Sequence, residues 1–402
     1  MTNVLISGGG VAGTALAYWL HRYGFTVTVV ERAPAPRLGG HTVDLRGAAR
    51  EVVERMGLLQ DARRVAVDSK GMSYVNAAGR RVADMPASFL GGVGVVGEVE
   101  ILRGDLVELL HGATGDGTEY VFDDTITEVT QTAENVRVAF ERSAPRVFDV
   151  VVGADGTHSL TRSLVFGPES RFRRDLGCYT AYFTARNIFG IQDWELFHNM
   201  PGQKLAALRP SRRPEDAKVL FGFASKPLEY DHRDQRRQKE LVAEVFAGAG
   251  WHVPAMLREM EAATDFYFDS ATQIVMDSWS HGRVALLGDA GYSPSPLGGN
   301  GTGLALVGAY VLAGELAAAG GDHTAAFAAY EREMRDFVRQ NHQLPPGGVN
   351  GFVPKSRTAI RMRDLSIRLM PHLPWAGLIA KAMNRADAVT LKDYPFSRAH
   401  CV

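Results

Sequence analysis

The sequence predicts an α/β protein in which a parallel sheet flanked by helices carries an inserted domain with a mixed or antiparallel sheet. At the N-terminus, an apolar strand (3–7), a glycine turn, a helical apolar pattern (11–23) and a β-branched strand (26–30) form a βαβ unit, which implies a parallel sheet. Between about 179 and 223 the pattern changes to short alternating runs, which are typical of antiparallel strands.

The remaining elements follow from apolar periodicity and from proline and glycine breaks. Two further buried strands are predicted at 147–152 and 284–287, each ending in glycine and aspartate. The predicted helices are 102–111, 238–246, 254–260, 304 to about 319, 357–370 and 375–383. The Pro- and Gly-rich stretch 341–354 is predicted to be a loop or linker.

Composition excludes several classes of function. A net charge of −1 gives no electrostatic basis for binding nucleic acid. Two cysteines, Cys178 and Cys401, are too few for a disulfide framework or a thiolate metal site, so we expect a reducing, cytoplasmic location and no metal. No apolar run reaches the roughly 18 residues of a membrane span, and we expect neither a span nor a signal peptide.

The N-terminal turn has the pattern of a dinucleotide-binding loop. In Gly8-x-Gly10-x-x-Gly13, the three glycines permit a tight turn, close approach of the backbone to a pyrophosphate, and close packing of the helix on the sheet. Val11 and Ala12, at the start of the helix, are predicted to contribute to the same binding site. Glu31 ends the second strand, where a carboxylate accepts hydrogen bonds from an adenosine ribose and repels a 2′-phosphate. The ligand is therefore predicted to be FAD or NAD, with Arg32 beside the ribose.

A second glycine-rich site lies near the C-terminus. The strand 284–287 ends at Gly288-Asp289, and a proline-broken loop leads to Gly298-Gly299-Asn300-Gly301-Thr302-Gly303 and a helix of small residues. Together the two sites predict one dinucleotide held from both ends of the chain, and the candidate is FAD. Asp289 would accept hydrogen bonds from the ribityl chain, while the helix start at Gly299, Gly301 and Thr302 would face the flavin ring.

Three motifs in this order resemble the single-component flavoprotein aromatic hydroxylases, the para-hydroxybenzoate hydroxylase family. They are the glycine turn with Glu31, the segment from Asp149 through Asp155-Gly156 to Arg162, and Gly282-Arg283 through Gly288-Asp289 to Gly303. Within the family, the chain looks most similar to tetracycline-inactivating and polyketide-tailoring monooxygenases. Family members often carry Ala-His where this chain has Gly291-Tyr292.

The resemblance implies roles for further cofactor residues. Arg103 matches an arginine on the FAD diphosphate side, although a solvated helical arginine is the alternative. Arg46 lies in a loop, Gly39 to Gly47, that resembles the segment lining the flavin. Asp155 belongs to the motif expected at the ligand end of the parallel sheet.

The resemblance also implies an activity. NADPH or NADH binds transiently and reduces FAD, and O2 then forms a flavin C4a-hydroperoxide. The hydroperoxide transfers an oxygen atom to a bulky aromatic or polyketide-type substrate. Because the cofactor performs this chemistry, no strictly required catalytic residue is expected. The candidates for positioning the substrate are Tyr182, Phe197, Phe221, Phe223 and Pro296, with core packing as the alternative for about half of such aromatics.

The domain division follows from the positions of the motifs. Residues 1–71, 97–170 and 274–345 are predicted to form a Rossmann-like FAD-binding domain, 72–96 and 171–273 the substrate domain, and 346–402 a C-terminal helical segment. The protein would be a monomer or homodimer. Two alternatives stay open: a flavin-dependent reductase or halogenase of related fold, and a non-catalytic flavoprotein that binds a drug or metabolite.

Overall fold

A computed structural model describes residues 2–36, 40–88, 99–345, 347–370 and 389–395 of the chain. Gly39 and the predicted helix at 375–383 lie outside the described residues. The strands are β1 (Asn3–Ser7), β2 (Thr26–Glu31), β3 (Thr42–Leu45), β4 (Gly71–Val75), β5 (Arg81–Pro86), β6 (Val99–Leu102), β7 (Thr118–Phe122), β8 (Ile126–Gln131), β9 (Val136–Phe140), β10 (Arg146–Phe148), β11 (Val150–Gly153), β12 (Arg173–Arg186), β13 (Trp194–Met200), β14 (Lys204–Pro210), β15 (Asp216–Ala224), β16 (Tyr267–Ile274), β17 (Ser280–His281) and β18 (Val284–Leu286).

The α-helices surround these strands and coincide with most of the predicted helical segments. They are α1 (Val11–Arg22), α2 (Gly47–Arg55), α3 (Leu59–Arg64), α4 (Arg103–Thr114), α5 (Leu160–Val165), α6 (Gln235–Phe246), α7 (Val253–Ala262), α8 (Asp289–Tyr292), α9 (Gly301–Ala318), α10 (His323–Asn341), α11 (Gly348–Phe352) and α12 (Arg357–Leu369).

The first sheet confirms the parallel arrangement predicted from the βαβ pattern. Its strand order is β17-β18-β11-β1-β2-β7, and β1 pairs in parallel with both β11 and β2. The central strand β1 is buried from Val4 to Ser7, because helices cover one face of the sheet and the small antiparallel sheet of β8, β9 and β10 covers the other. Three strands that are far apart in sequence, β1, β11 and β18, therefore end side by side at one edge of the sheet.

The second large sheet has seven strands in the order β16-β12-β15-β14-β13-β4-β5. Its strands lie within 71–86 and 173–274, and all pairings except β4 with β13 are antiparallel. Alternating side chains cover its two faces. One face packs against α6 and α7, and the other faces the loops that follow the first sheet.

The long helix α9 is more apolar than the sequence analysis allowed. Among the described residues it is the one helix long and apolar enough to cross a membrane, with a mean hydropathy of 1.4 over 18 residues, and 78% of it is buried inside the protein. Glu315 interrupts its apolar residues, and its burial is typical of the core helix of a folded domain. The helix packs against α1, α2 and α10 as the central helix of the core.

The region after α9 also differs from the prediction. The stretch predicted as a loop at 341–354 contains the end of α10 and the short helix α11. Helix α12 packs against β5 and β13. The segment 389–395 returns to α9, where the Tyr394 hydroxyl donates to Glu315 Oε1 at 2.8 Å and Lys392 Nζ donates to the same oxygen at 3.1 Å.

The Gly291-Tyr292 departure from the family pattern has a packing explanation. The Tyr292 hydroxyl is buried 2.7 Å from the Tyr330 hydroxyl, which donates to the Leu286 carbonyl at 3.1 Å. A Cβ added to Gly308 on α9 would lie 2.3 Å from the Tyr292 hydroxyl oxygen. The tyrosine therefore fits only because α9 has a glycine at that position.

We expect Gly308→Ala to lower the free energy of unfolding by about 1–3 kcal/mol, because the added methyl overlaps the Tyr292 hydroxyl. Tyr292→Phe alone should cost about 1 kcal/mol through its lost hydrogen bond. In the double variant the overlap with the hydroxyl is gone and only the 2.9 Å approach to Leu287 Cδ1 remains, so thermal unfolding should show that the two changes are less harmful together than the sum of the single changes. Strict additivity would contradict the packing argument.

Candidate functional site

The glycine turns of the three motifs touch one another at the carboxyl edge of the parallel sheet. Gly8 has a φ of 110°, and a Cβ on it would lie 2.5 Å from the Ala154 carbonyl oxygen. Gly288 has a φ of 65°, and its Cβ would lie 3.2 Å from the Ala12 side chain. The turns after β1 and β11 thus pack backbone against backbone, the turn after β18 packs against the methyl of Ala12 in α1, and one cleft opens above them.

The start of α1 suits a pyrophosphate. Its N-cap, Gly10, offers no side-chain cap, so the amides of the first turn, including Val11 and Ala12, are directed at the cleft. Gly13 is required for the turn itself, since a Cβ there would lie 1.9 Å from the Gly8 carbonyl oxygen. A Cβ on Gly10 would lie 3.2 Å from Arg103 Nη2, so the guanidinium extends over this turn.

Glu31 is held beside the same turn. Its Oε2 accepts from the Gly9 amide at 2.8 Å and its Oε1 accepts from the Ala33 amide at 2.8 Å. Each carboxylate oxygen has a second lone pair, so the group can also accept from ribose hydroxyls. The neighbouring Arg32 is exposed at the rim of the cleft.

The other end of the cleft is formed by Asp289 and the start of α9. A Cβ on Gly301 would lie 3.7 Å from Asp289 Oδ1, which places the carboxylate against the first turn of the helix that contains Thr302. Burial raises the pKa of Asp289, while Ser293 and the charge of Arg103 act to lower it. Gly299, with a φ of 73°, leads into this helix start. An 18-residue helix directs a partial positive charge into the cleft.

Asp155, predicted to bind the cofactor, also supports the start of α5. Its Oδ2 accepts from both the amide and the hydroxyl of Thr161 at 2.9 Å, and its Oδ1 accepts from Ser159. Its role at the cofactor stays a prediction. The adjacent Ala154 carbonyl, against Gly8, is the part of this turn that shapes the cleft.

Residues on either side of β3 connect the cleft to the second sheet. Arg46, at the start of α2, forms an ion pair with Asp44 at 2.6 Å. The His41 ring lies 5.0 Å from the ring of Tyr182 on β12. Burial, followed by the charge of Arg103, lowers the pKa of His41 to about 3, so its imidazole is neutral at physiological pH. His41 was missed as a site residue because nothing in the local sequence indicates that it meets β12.

The proposed substrate-facing aromatics divide between the two faces of the second sheet. Tyr182 and Phe197 lie on the face toward the cleft, in a cluster with Leu297 and Phe352, and Pro296 is exposed beside Leu297. The assignment of Phe221 and Phe223 was wrong, since both are essentially buried. They pack on the opposite face against Phe246 of α6, with ring centroids at 4.5 and 6.2 Å.

A buried charge cluster, also missed from the sequence, joins β6 to the second sheet. Arg209 donates to Glu195 Oε1 at 2.6 Å and to Glu100 Oε1 at 2.9 Å. Burial, followed by the charge of Glu195, raises the pKa of Glu100 to about 8. The cluster fixes the second sheet against β6, whose antiparallel partner β3 lies in the cleft loop.

Comparison with known proteins agrees with this geometry. A family model described as "FAD binding domain" matches residues 1–344. A flavin-dependent monooxygenase of Legionella longbeachae is 38% identical over 357 residues, which span 89% of this chain and 91% of that protein. The chain is a FAD-dependent monooxygenase.

Two other relatives add detail on this flavoprotein. An uncharacterized Mycobacterium tuberculosis protein is 45% identical over 88% of this chain and 95% of its own length. The crystal structure of the tetracycline destructase Tet(51) matches with a TM-score of 0.83 and 32% identity, covering 98% of this chain and all of that one. The enzyme binds FAD, and the glycine turns, uncapped helix starts and carboxylates described above fit such a ligand.

We expect Asp289→Ala to weaken FAD affinity about ten- to a hundredfold, because a charge-assisted hydrogen bond contributes roughly 1.5–3 kcal/mol. Equilibrium dialysis of FAD against the apoprotein measures it. Glu31→Ala should weaken FAD affinity less than Asp289→Ala does, since the adenosine end of the cleft is more open. Asp277→Ala, an exposed aspartate away from the cleft, is the control, and an Asp289→Ala protein with parental FAD affinity would refute the assignment.

Proposed function

We propose that the enzyme hydroxylates a bulky aromatic or polyketide-type small molecule with electrons from NADPH or NADH. The reaction consumes substrate, O2, NAD(P)H and a proton, and it yields hydroxylated substrate, water and NAD(P)+. The observation that carries the proposal is the apolar face of the second sheet, with Tyr182 and Phe197, set opposite the Pro296 loop beside the cleft. Similarity to a protein named tetracycline destructase supports a polycyclic substrate.

In this proposal the bound FAD supplies electron transfer and activation of O2 at its C4a position, and the protein supplies binding, orientation and exclusion of water. Arg103 and the start of α1 hold the pyrophosphate, Glu31 the ribose, and Asp289 the ribityl chain. The partial positive charge at the start of α9 stabilises negative charge that develops on the reduced ring.

We propose that Tyr182 and His41 orient a phenolic substrate. Tyr182 contributes a hydroxyl on the sheet face, and the neutral His41 beside it can accept or donate one hydrogen bond. Leu297 and Phe352, in the same cluster, would keep water from the reacting carbon. Arg32, Arg46, Pro296, Gly299 and Thr302 stay in the proposed site as well, at its rim or in its loops.

The direct test is incubation with NAD(P)H, a panel of polycyclic phenols and 18O2, with mass analysis of the product. Incorporation of one labelled oxygen atom into a substrate supports the hydroxylase. A reductase would give reduced product without label, a halogenase would require halide, and a sequestering flavoprotein would return the ligand unchanged.

We expect NAD(P)H to reduce the flavin at least about tenfold faster when true substrate is bound, a barrier difference of ~1.4 kcal/mol. Gly40 and Gly47 have positive φ and lie at the two ends of the segment that contains Arg46. They allow this segment to change conformation as substrate binds. Arg46→Ala should slow reduction and leave FAD bound. Stopped-flow absorbance measures both, with Arg50→Ala, one turn further along α2, as control. Equal rates of flavin reduction with and without substrate would contradict the proposal that substrate binding accelerates reduction.

We further propose the domain boundaries given above, a monomer or homodimer, and action in the cytoplasm. The two large sheets support the division, since the strands of the second come from 71–86 and 173–274. Size-exclusion chromatography with light scattering decides the oligomeric state.

A further inference from the structure

A cluster beside the cofactor cleft contains two histidines and a buried aspartate from three separate segments. His158 follows the turn after β11, His232 lies between β15 and α6, and Asp269 is on β16. The side-chain ligand atoms of these three residues all lie within 4.8 Å of one another. The imidazole rings are 4.3 Å apart between centroids, and His158 Nε2 is 3.1 Å from Asp269 Oδ2.

The orientation of His158 is fixed from behind by a carboxylate. His158 Nδ1 lies 3.1 Å from both oxygens of Glu169. Glu169 is itself held by the buried Arg162, whose Nη2 donates to it at 3.0 Å. A histidine whose Nδ1–H donates to a carboxylate presents the lone pair of Nε2 to its other side, which is the usual arrangement behind a metal-bound histidine.

The position between His158 and Asp269 therefore favours a positive charge. Nε2 and a carboxylate oxygen face each other at 3.1 Å, so a proton or a cation has to lie between them. The His232 ring lies beside this pair, with its centroid 4.3 Å from that of His158, and its ligand atom is within 4.8 Å of the other two.

We propose that His158, His232 and Asp269 bind a divalent transition-metal ion of the Zn2+ class, with Glu169 as the carboxylate that orients His158. Two imidazoles and one carboxylate are a borderline donor set suited to such ions. Zinc distances of about 2.0–2.2 Å place tetrahedral ligands about 3.3–3.6 Å apart. His232 therefore has to approach by up to roughly an ångström, while His158 Nε2 and Asp269 Oδ2, now 3.1 Å apart, have to separate slightly.

The structure allows that closure. Asp269 is fixed, because its Oδ1 accepts from the Ser270 amide at 2.7 Å and its Oδ2 accepts from the Tyr267 hydroxyl at 2.9 Å. His158 and His232 are both partly open to solvent, so their rings can adjust and a water can fill the fourth position. A bound ion would replace the proton shared by His158 and Asp269 and would link three segments of the chain.

The test is titration of the FAD-bound, tag-free protein with ZnCl2 by isothermal calorimetry. We expect one ion per chain, and at least tenfold weaker binding in His232→Ala, whose exposed side chain can be removed with little effect on folding. His281→Ala, an exposed histidine on β17, should bind zinc like the parent. No stoichiometric binding, or equal binding in His232→Ala and His281→Ala, would overturn the proposal.

A second variant and a structural readout keep the test independent of any folding defect. Asp269→Asn retains the size of the side chain but not its charge, and it should also weaken zinc binding at least tenfold. X-ray absorption at the zinc edge of the parent should show two imidazole ligands. The proposal would be overturned if the spectrum showed no imidazole ligand and zinc left the thermal unfolding midpoint unchanged. The cluster would then be a hydrogen-bond network bridged by protons.

Discussion

The site depends on the close backbone contact between turns that are distant in the sequence. Gly8 lies against the Ala154 carbonyl, and Gly288 lies against the methyl of Ala12, so the ends of β1, β11 and β18 can approach closely. This approach brings the starts of α1 and α9 to one cleft. Two helix starts that face the same space provide the backbone amides and the positive potential that a dinucleotide requires.

Arg103 is the charge that joins the parts of this cleft. Its guanidinium extends over Gly10. Burial and then the charge of Arg103 lower the pKa of His41, and the same charge opposes the rise in the pKa of Asp289 that burial causes. One arginine thus favours an anionic diphosphate, a neutral imidazole near the substrate and an ionised ribityl-binding carboxylate. Its position as the first residue of α4, directly after β6, is set by the β3–β6 pairing.

Much of the fold and of the cofactor cleft could be predicted from the sequence, because glycine turns and apolar strands are local signals. Side-chain direction could not be predicted in the same way. Phe221 and Phe223 were assigned to the wrong face, since strand alternation gives two faces but does not say which one meets α6. The contacts of Asp155 with Ser159 and Thr161 could not be read from the glycine motif either. His41 and His158 owe their environments to contacts far along the chain.

The most direct test of the central claim is a crystal structure of the FAD complex. We expect the pyrophosphate at the amides of residues 10–13 beneath Arg103, the adenosine ribose at Glu31, the ribityl chain at Asp289, and the flavin ring beside the start of α9. A pyrophosphate bound elsewhere, or a ribityl chain out of hydrogen-bonding reach of Asp289, would contradict it.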